Sequence, residues 1–191
     1  MRATEPGGLR PGTTTMASPP PPDQRPMIVA AWIDAHDLAP FTALRDRFFP
    51  AGRNHLSAHL TLFHHIGPGV REDFMADARQ LLSDRPPFTV AVLPPFLLGG
   101  GVAYAVEPAP LQAVRRPLRQ RYADRLTPQD ARPWKRPHLT VQNKVAAEDA
   151  RRLHGHLAAR FAPCEIRIRG LLFYRYDGGP WTELERLSFT G

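Results

Sequence analysis

The sequence has one cysteine, Cys164, in 191 residues. No disulfide can form within the chain, and a reducing, cytoplasmic setting is expected. Lysine is nearly missing too: Lys135 and Lys144 are the only two among 25 basic residues. No apolar run approaches the roughly 18 residues that a membrane-spanning helix needs. No apolar stretch follows Met1, so no secretory leader is expected. No glycine-rich loop leads into a Lys-Ser/Thr pair; Gly99-Gly100-Gly101 therefore reads as a hairpin turn and not as a phosphate cradle. His55, His59 and His65 lack metal-ligand spacing and splay along an extended segment, so no metal site and no cofactor are expected. Cys164 has no His/Asn arrangement that would make it a nucleophile and reads as a buried thiol.

What is present is a 42% apolar fraction, enough for one real core, and a formal net charge of +7 carried almost entirely by arginine. Arginine forks suit phosphate and stack on bases, which points to a polyanionic partner. An arginine- and alanine-rich composition is equally the mark of a GC-rich genome, so the charge alone leaves both readings open. Seven of the 22 prolines fall in residues 1–26, among Gly, Ser and Thr and with no hydrophobic period. That stretch cannot bury enough apolar surface to offset its ordering entropy and is expected to be a disordered tail. Residues 27–191 are expected to form the folded domain, as a monomer.

Within that domain the pattern alternates strand and helix. Met27 to Ile33 is an apolar run suited to a buried strand, and Asp37 can cap a helix that turns Leu38, Phe41, Leu44 and Phe48 to one side. A second strand is expected over 58–66 and a helix with Val70, Phe74, Ala78, Leu81 and Leu82 in register. Phe88 to Val92 reads as a strand, and Phe96 to Val106 as a hairpin about the glycines. The same grammar then recurs: a helix near 111–126 containing Pro117, a polar loop over 127–136, a strand over 137–143, a helix carrying Ala150, Leu153, Leu157 and Phe161, a long strand from Ile166 to Tyr176 interrupted at Gly170, and a last strand from Trp181 to Phe189 with a bulge. The fold class is α+β, built of two similar halves, roughly 27–107 and 108–191, each a sheet with helices on one face.

One repeat carries most of the functional information. His59-Leu60-Thr61-Leu62 recurs as His138-Leu139-Thr140-Val141, with both the histidines and the threonines 79 positions apart. On a strand, His and the Thr two residues on share a face, while the aliphatic residues between and after them face the core. Each copy thus offers an imidazole beside a hydroxyl. If a pseudo-twofold relates the halves, the two pairs meet across a groove. In-line displacement at phosphorus needs a base on the attacking oxygen and an acid on the leaving oxygen, and two imidazoles with an ordinary pKa near 6.5 supply both. The threonine hydroxyls can hold the non-bridging oxygens. This scheme asks for no metal.

The paired His-x-Thr segments in a duplicated α+β chain resemble the signature of the two-histidine phosphoesterase superfamily. Arg53-Asn54-His55-Leu56-Ser57-Ala58 before the first copy, Arg136-Pro137 before the second, and Leu172-Phe173-Tyr174-Arg175-Tyr176 followed by Trp181 resemble its bacterial 2′-5′ RNA ligase branch. The resemblance covers residues 27–191. It implies antiparallel sheets forming a bilobal central groove with helices outside, His59 and His138 as the catalytic pair, and Thr61 and Thr140 as phosphate-binding groups. It implies cleavage of 2′,3′-cyclic phosphates at RNA ends or in small cyclic nucleotides without a metal, and in some members the joining of tRNA halves through a 2′-5′ bond. A non-catalytic RNA- or nucleotide-binding module of the same fold stays open, as does an interaction domain that presents its Pro-rich arm.

Around this centre, Arg136 and Lys135 either neutralise a terminal phosphate or are the solvated end of a loop. Gln142 shares the strand parity of His138 and Thr140 and is expected to extend the polar floor. His65 shares the parity of His59 and is a candidate substrate contact, while His64 is expected to point away. Tyr174 and Tyr176 alternate to one face, for base stacking or for sheet packing. Trp181 is expected in the core.

Overall fold

The computed structural model describes Pro21 and residues 24–191. Most of the expected tail lies outside the described residues. Its last part does not: Tyr176 N–H donates to Pro26 O (3.0 Å) and Arg25 pairs with Asp177 at 2.7 Å, so the fold reaches back to residue 25.

The elements in chain order are β1 (Met27–Ile33), α1 (Ala35–Phe48), β2 (Thr61–Ile66), α2 (Arg71–Leu82), β3 (Phe88–Leu97), β4 (Val102–Val106), α3 (Pro108–Arg121), the single turn α4 (Pro128–Ala131), β5 (His138–Gln142), α5 (Ala147–Ala158), β6 (Cys164–Tyr176) and β7 (Trp181–Ser188). No helix among the described residues is long and apolar enough to cross a membrane. Asp34 caps α1, its Oδ1 accepting from His36 N–H at 3.1 Å, in place of the expected Asp37. The helix expected over 111–126 begins earlier, at Pro108, where a missing N–H costs nothing, and stops at Arg121. Cys164 is exposed, contrary to the buried thiol expected of it.

Seven antiparallel strands form one sheet in the order β2-β1-β6-β3-β4-β5, with β7 added to β6. β6 is the spine. Its first part pairs with β3 and its later part lies between β1 and β7. Gly170 marks the handover, and the reason is space: a Cβ there would stand 1.9 Å from Leu187 O. The strand bends at this point through a register shift opposite Trp32 and Ile33 and is not broken. The expected bulge in the last strand lies opposite Phe173 and Tyr174.

The repeat of the sequence is interlocked in space. β1-α1-β2 and β4-α3-β5 are matching antiparallel units, yet the strand that follows the first unit, β3, pairs with β4, and the strand that follows the second, β6, pairs with β1. In the element order, the second unit opens with β4, inside what the sequence pattern divides off as the first half. One continuous core results, running from Met27, Phe63 and Phe74 to Leu139, Val141 and Ile166.

β2 and β5 are the two ends of this order, and edge strands leave backbone groups unpaired. Two buried arginines satisfy them crosswise. Arg45, from α1 of the first unit, donates from Nη1 to Thr140 O of β5 (3.1 Å) and from Nε to Leu56 O and Asn54 Oδ1 (2.9 Å each). Arg115, from α3 of the second unit, donates from Nε to Leu62 O of β2 (2.8 Å) and from Nη2 to Asp130 O (2.6 Å). They are 5% and 2% exposed, which for charged side chains requires such dense bonding.

Candidate active site

The sheet curls so that its two ends meet. His59, Thr61, His64, Trp134, His138, Thr140 and Trp181 line one cavity of about 150 Å³. The two His-Thr segments, 79 positions apart in sequence, thus share one space.

Local geometry is the same on both sides. The Nδ1–H of His59 donates to Ser57 O at 2.8 Å, and that of His138 donates to Arg136 O at 2.8 Å. A carbonyl only accepts, so Nδ1 carries a proton in both rings and Nε2 is the nitrogen left for chemistry. Each ring also leans on an aromatic: Trp181 at 4.7 Å for His59 and Phe96 at 5.8 Å, edge to face, for His138. His59 stands just before β2, whose ladder begins at Thr61 and not at Ala58; the N–H of Ala31 still reaches Leu60 O at 2.9 Å. Burial pushes the His59 imidazole down to about 4. The Ser57 carbonyl opposes this, while Arg45, His64 and His138 add to it. His59 is therefore neutral near pH 7, with a lone pair on Nε2.

Both strands bulge immediately after the His-x-Thr segment. Thr61 and Phe63 pair with the consecutive residues Ala30 and Val29, and Thr140 and Gln142 pair with the consecutive residues Ala103 and Val102. One extra residue on each strand reverses the face of the residue that follows the bulge, and β2 shifts register once more between Phe63 and Ile66. Two expectations fail for this reason. His65 does not line the cavity; His64, expected to point away, does. Gln142 does not extend the floor beside Thr140: it is 6% exposed, lies behind a different cleft with Arg47, Phe48 and Leu153, and its Oε1 has no hydrogen-bond partner.

The remaining candidates are displaced by a layer. Arg136 lends its carbonyl to His138 and lays its guanidinium over Phe96 at 4.5 Å, outside the cavity lining. Tyr174 stands behind Trp181 at 5.5 Å, and Tyr176 is 40% exposed; neither lines the cavity. Trp181, expected in the core, is a wall of the site. The strand pattern turns His64 to the wrong face, and it singles out neither Trp134 nor Asp130. A tryptophan alone in the polar stretch 127–136, four residues before His138, was the available signal for Trp134. Asp130 offered none, because its role depends on a fold that brings α4 against β2.

The chain resembles known proteins in two ways. The family model described as the 2′-5′ RNA ligase superfamily matches residues 33–180. Among solved structures, Escherichia coli LigT complexed with 3′-AMP is 19% identical with a TM-score of 0.61, over 88% of this chain and 99% of that one. TT0787 of Thermus thermophilus is 19% identical with a TM-score of 0.59, over 87% and 98%. Escherichia coli LigT complexed with NADP+ is 18% identical with a TM-score of 0.59, over 88% and 99%. At these identities the structural likeness is one of fold. No curated protein matches the sequence.

Proposed function

Because the chain belongs to the 2′-5′ RNA ligase superfamily, we propose that it is a phosphoesterase that opens 2′,3′-cyclic phosphates of RNA ends or small cyclic nucleotides. The observation that carries this reading is the single cavity shared by His59, Thr61, His138 and Thr140, with both Nδ1 atoms tied to carbonyls. Family membership supports phosphoester chemistry as the reaction class. The bound 3′-AMP and NADP+ of LigT agree with a nucleotide substrate. A cavity of about 150 Å³ is small beside the ~300–1,000 Å³ of ordinary ligand pockets, so it takes the phosphate while the nucleoside lies outside, toward Trp134 and Trp181.

The two histidines divide the work by their surroundings. His59, held neutral, takes a proton from water through Nε2 as the water oxygen attacks phosphorus. His138 gives a proton from Nε2 to the departing ribose oxygen as the P–O bond breaks. Thr61 and Thr140 donate hydroxyl hydrogens to the non-bridging oxygens as charge develops there. Net, one water adds across one P–O bond, and the two imidazoles exchange protonation states until solvent resets them. With the 5′-hydroxyl of a second RNA end in place of water, attack on the 2′,3′-cyclic phosphate and departure of the 3′ oxygen leave a 2′-5′ linkage, so the same residues serve ligation.

The test is hydrolysis of a 2′,3′-cyclic nucleotide in excess chelator. Turnover is expected to persist, and His59→Ala and His138→Ala are each expected to lower kcat/KM about 10²–10⁴-fold. Wild-type rates in both variants would remove the pair from the mechanism, and salt-sensitive RNA binding without any turnover would favour a binding module.

A further inference from the structure

We propose that His64 is a third functional imidazole of this cavity, a contact for the substrate's anionic oxygens, with its ring oriented by the buried carboxylate of Asp130. The inference rests on the phosphoesterase reading and adds a residue to it.

The cavity has to hold an anion, yet none of the side chains lining it is lysine or arginine. The threonine hydroxyls are neutral, and the proposed mechanism occupies His59 and His138 with proton transfer. His64 is the one remaining group on the lining that can bring positive charge to a phosphate oxygen. Its side chain is 47% exposed, so it is not there to fill the core.

The three rings differ in what holds Nδ1. His59 and His138 each donate to a neutral backbone carbonyl. His64 Nδ1 stands 3.3 Å from Asp130 Oδ1, a carboxylate only 1% exposed. Burial alone would raise the Asp130 pKa, but the bonds from the His64 ring and from the His64 and His65 backbone N–H groups outweigh it and hold the carboxyl below its ordinary value. Such a carboxylate fixes which ring nitrogen it engages and backs positive charge on the imidazole. Nε2 is left as the free nitrogen.

The carboxylate itself is held from several directions. Its oxygens accept from His64 N–H at 2.9 and 3.0 Å and from His65 N–H at 2.8 Å. Thr127 Oγ1 accepts from Asp130 N–H at 3.4 Å, and Arg115 Nη2 donates to Asp130 O at 2.6 Å. Capping two edge N–H groups needs only neutral acceptors; a carboxylate that also reaches the His64 ring goes beyond that need. The second half of the repeat has no counterpart. Asn143, 79 positions after His64, turns its Oδ1 to Lys144 N–H at 2.7 Å and does not line the cavity. His64 thus breaks the pseudo-symmetry of the site on the side of His59.

The test uses inorganic phosphate as the probe. In the unmodified protein, the ring ¹⁵N signals of His64, His59 and His138 are expected to shift together as phosphate is added. A His64 signal that stays fixed while the other two move overturns the proposal. In kinetics, His64→Gln is expected to lower kcat/KM about 10²-fold, as loss of one transition-state donor does, and to weaken phosphate inhibition, with melting unchanged. His64→Lys is expected to recover part of both losses, which a purely structural role would not allow. Wild-type kcat/KM and phosphate inhibition in His64→Gln would sink the inference and leave the His59–His138 mechanism standing. Undiminished activity in His59→Ala and His138→Ala would sink that mechanism first.

Discussion

At the scale of the residue, chemically identical side chains are made different by one neighbour. His59 and His138 share a tautomer because each donates Nδ1–H to the carbonyl two residues back. Burial then pushes the His59 imidazole down to about 4. With His59 as the proposed base, the acidic limb of kcat/KM is expected to inflect near 4. An acidic limb that inflects at about 6.5 instead would show that the base is another group. Stability should follow the same sign. The folded protein refuses a proton on His59 that the unfolded chain accepts near 6.5, so this group's contribution is fully present above about 6.5 and is lost as pH falls toward about 4. Urea midpoints compared between about pH 7 and about pH 4.5 should fall more in the wild type than in His59→Gln.

At the scale of the element, the decisive feature is a pair of bulges. An alternating strand would carry His59, Thr61 and His65 on one face. One extra residue after Thr61 instead buries Leu62 and Phe63 in succession and puts His64 on the cavity. The same insertion after Thr140 sends Gln142 behind the sheet. Nothing in the runs Leu62-Phe63 or Val141-Gln142 announces a bulge, because each is set by its pairing with β1 or β4. Close approach sets the glycines in the same way. At Gly170 a methyl group would meet the backbone of Leu187 and Ser188, and at Gly101 it would stand 2.0 Å from Gln142 O. Backbone cannot swing aside as a side chain does, so Gly170→Ala is expected to cost about 3 kcal/mol or more in a denaturant melt. A loss under about 0.5 kcal/mol would mean that β6 and β7 separate there at little cost.

At the scale of the whole molecule, two units are held in register by exchanged strands and by two crossed arginines. Arg45 reaches from the first unit to β5 and Arg115 from the second to β2. Arg115→Met leaves Leu62 O, Asp130 O and Arg132 O without their donor, and buried acceptors stripped of a charged partner cost about 3 kcal/mol. For a domain of this size that is a fall of about 6–12 °C in Tm by calorimetry. An unchanged Tm would show that water replaces the guanidinium and that the clamp is dispensable.

The sequence by itself marked out most of the elements and pointed to the class of chemistry. The apolar periods marked out the main strands and helices. The duplicated His-x-Thr pointed to a two-imidazole phosphoester site, because residue type and two-residue spacing are local properties of a strand. Only the tertiary structure decided what stands around that centre. It decided that the third strand of each unit joins the other unit, and that the two edges of the sheet close on one cavity. It decided that His64, Trp134 and Trp181 line that cavity while His65, Gln142 and Tyr176 do not. Each of these depends on register and on contact between distant segments, which are settled by which surfaces can be buried together and not by the order of residues along one strand.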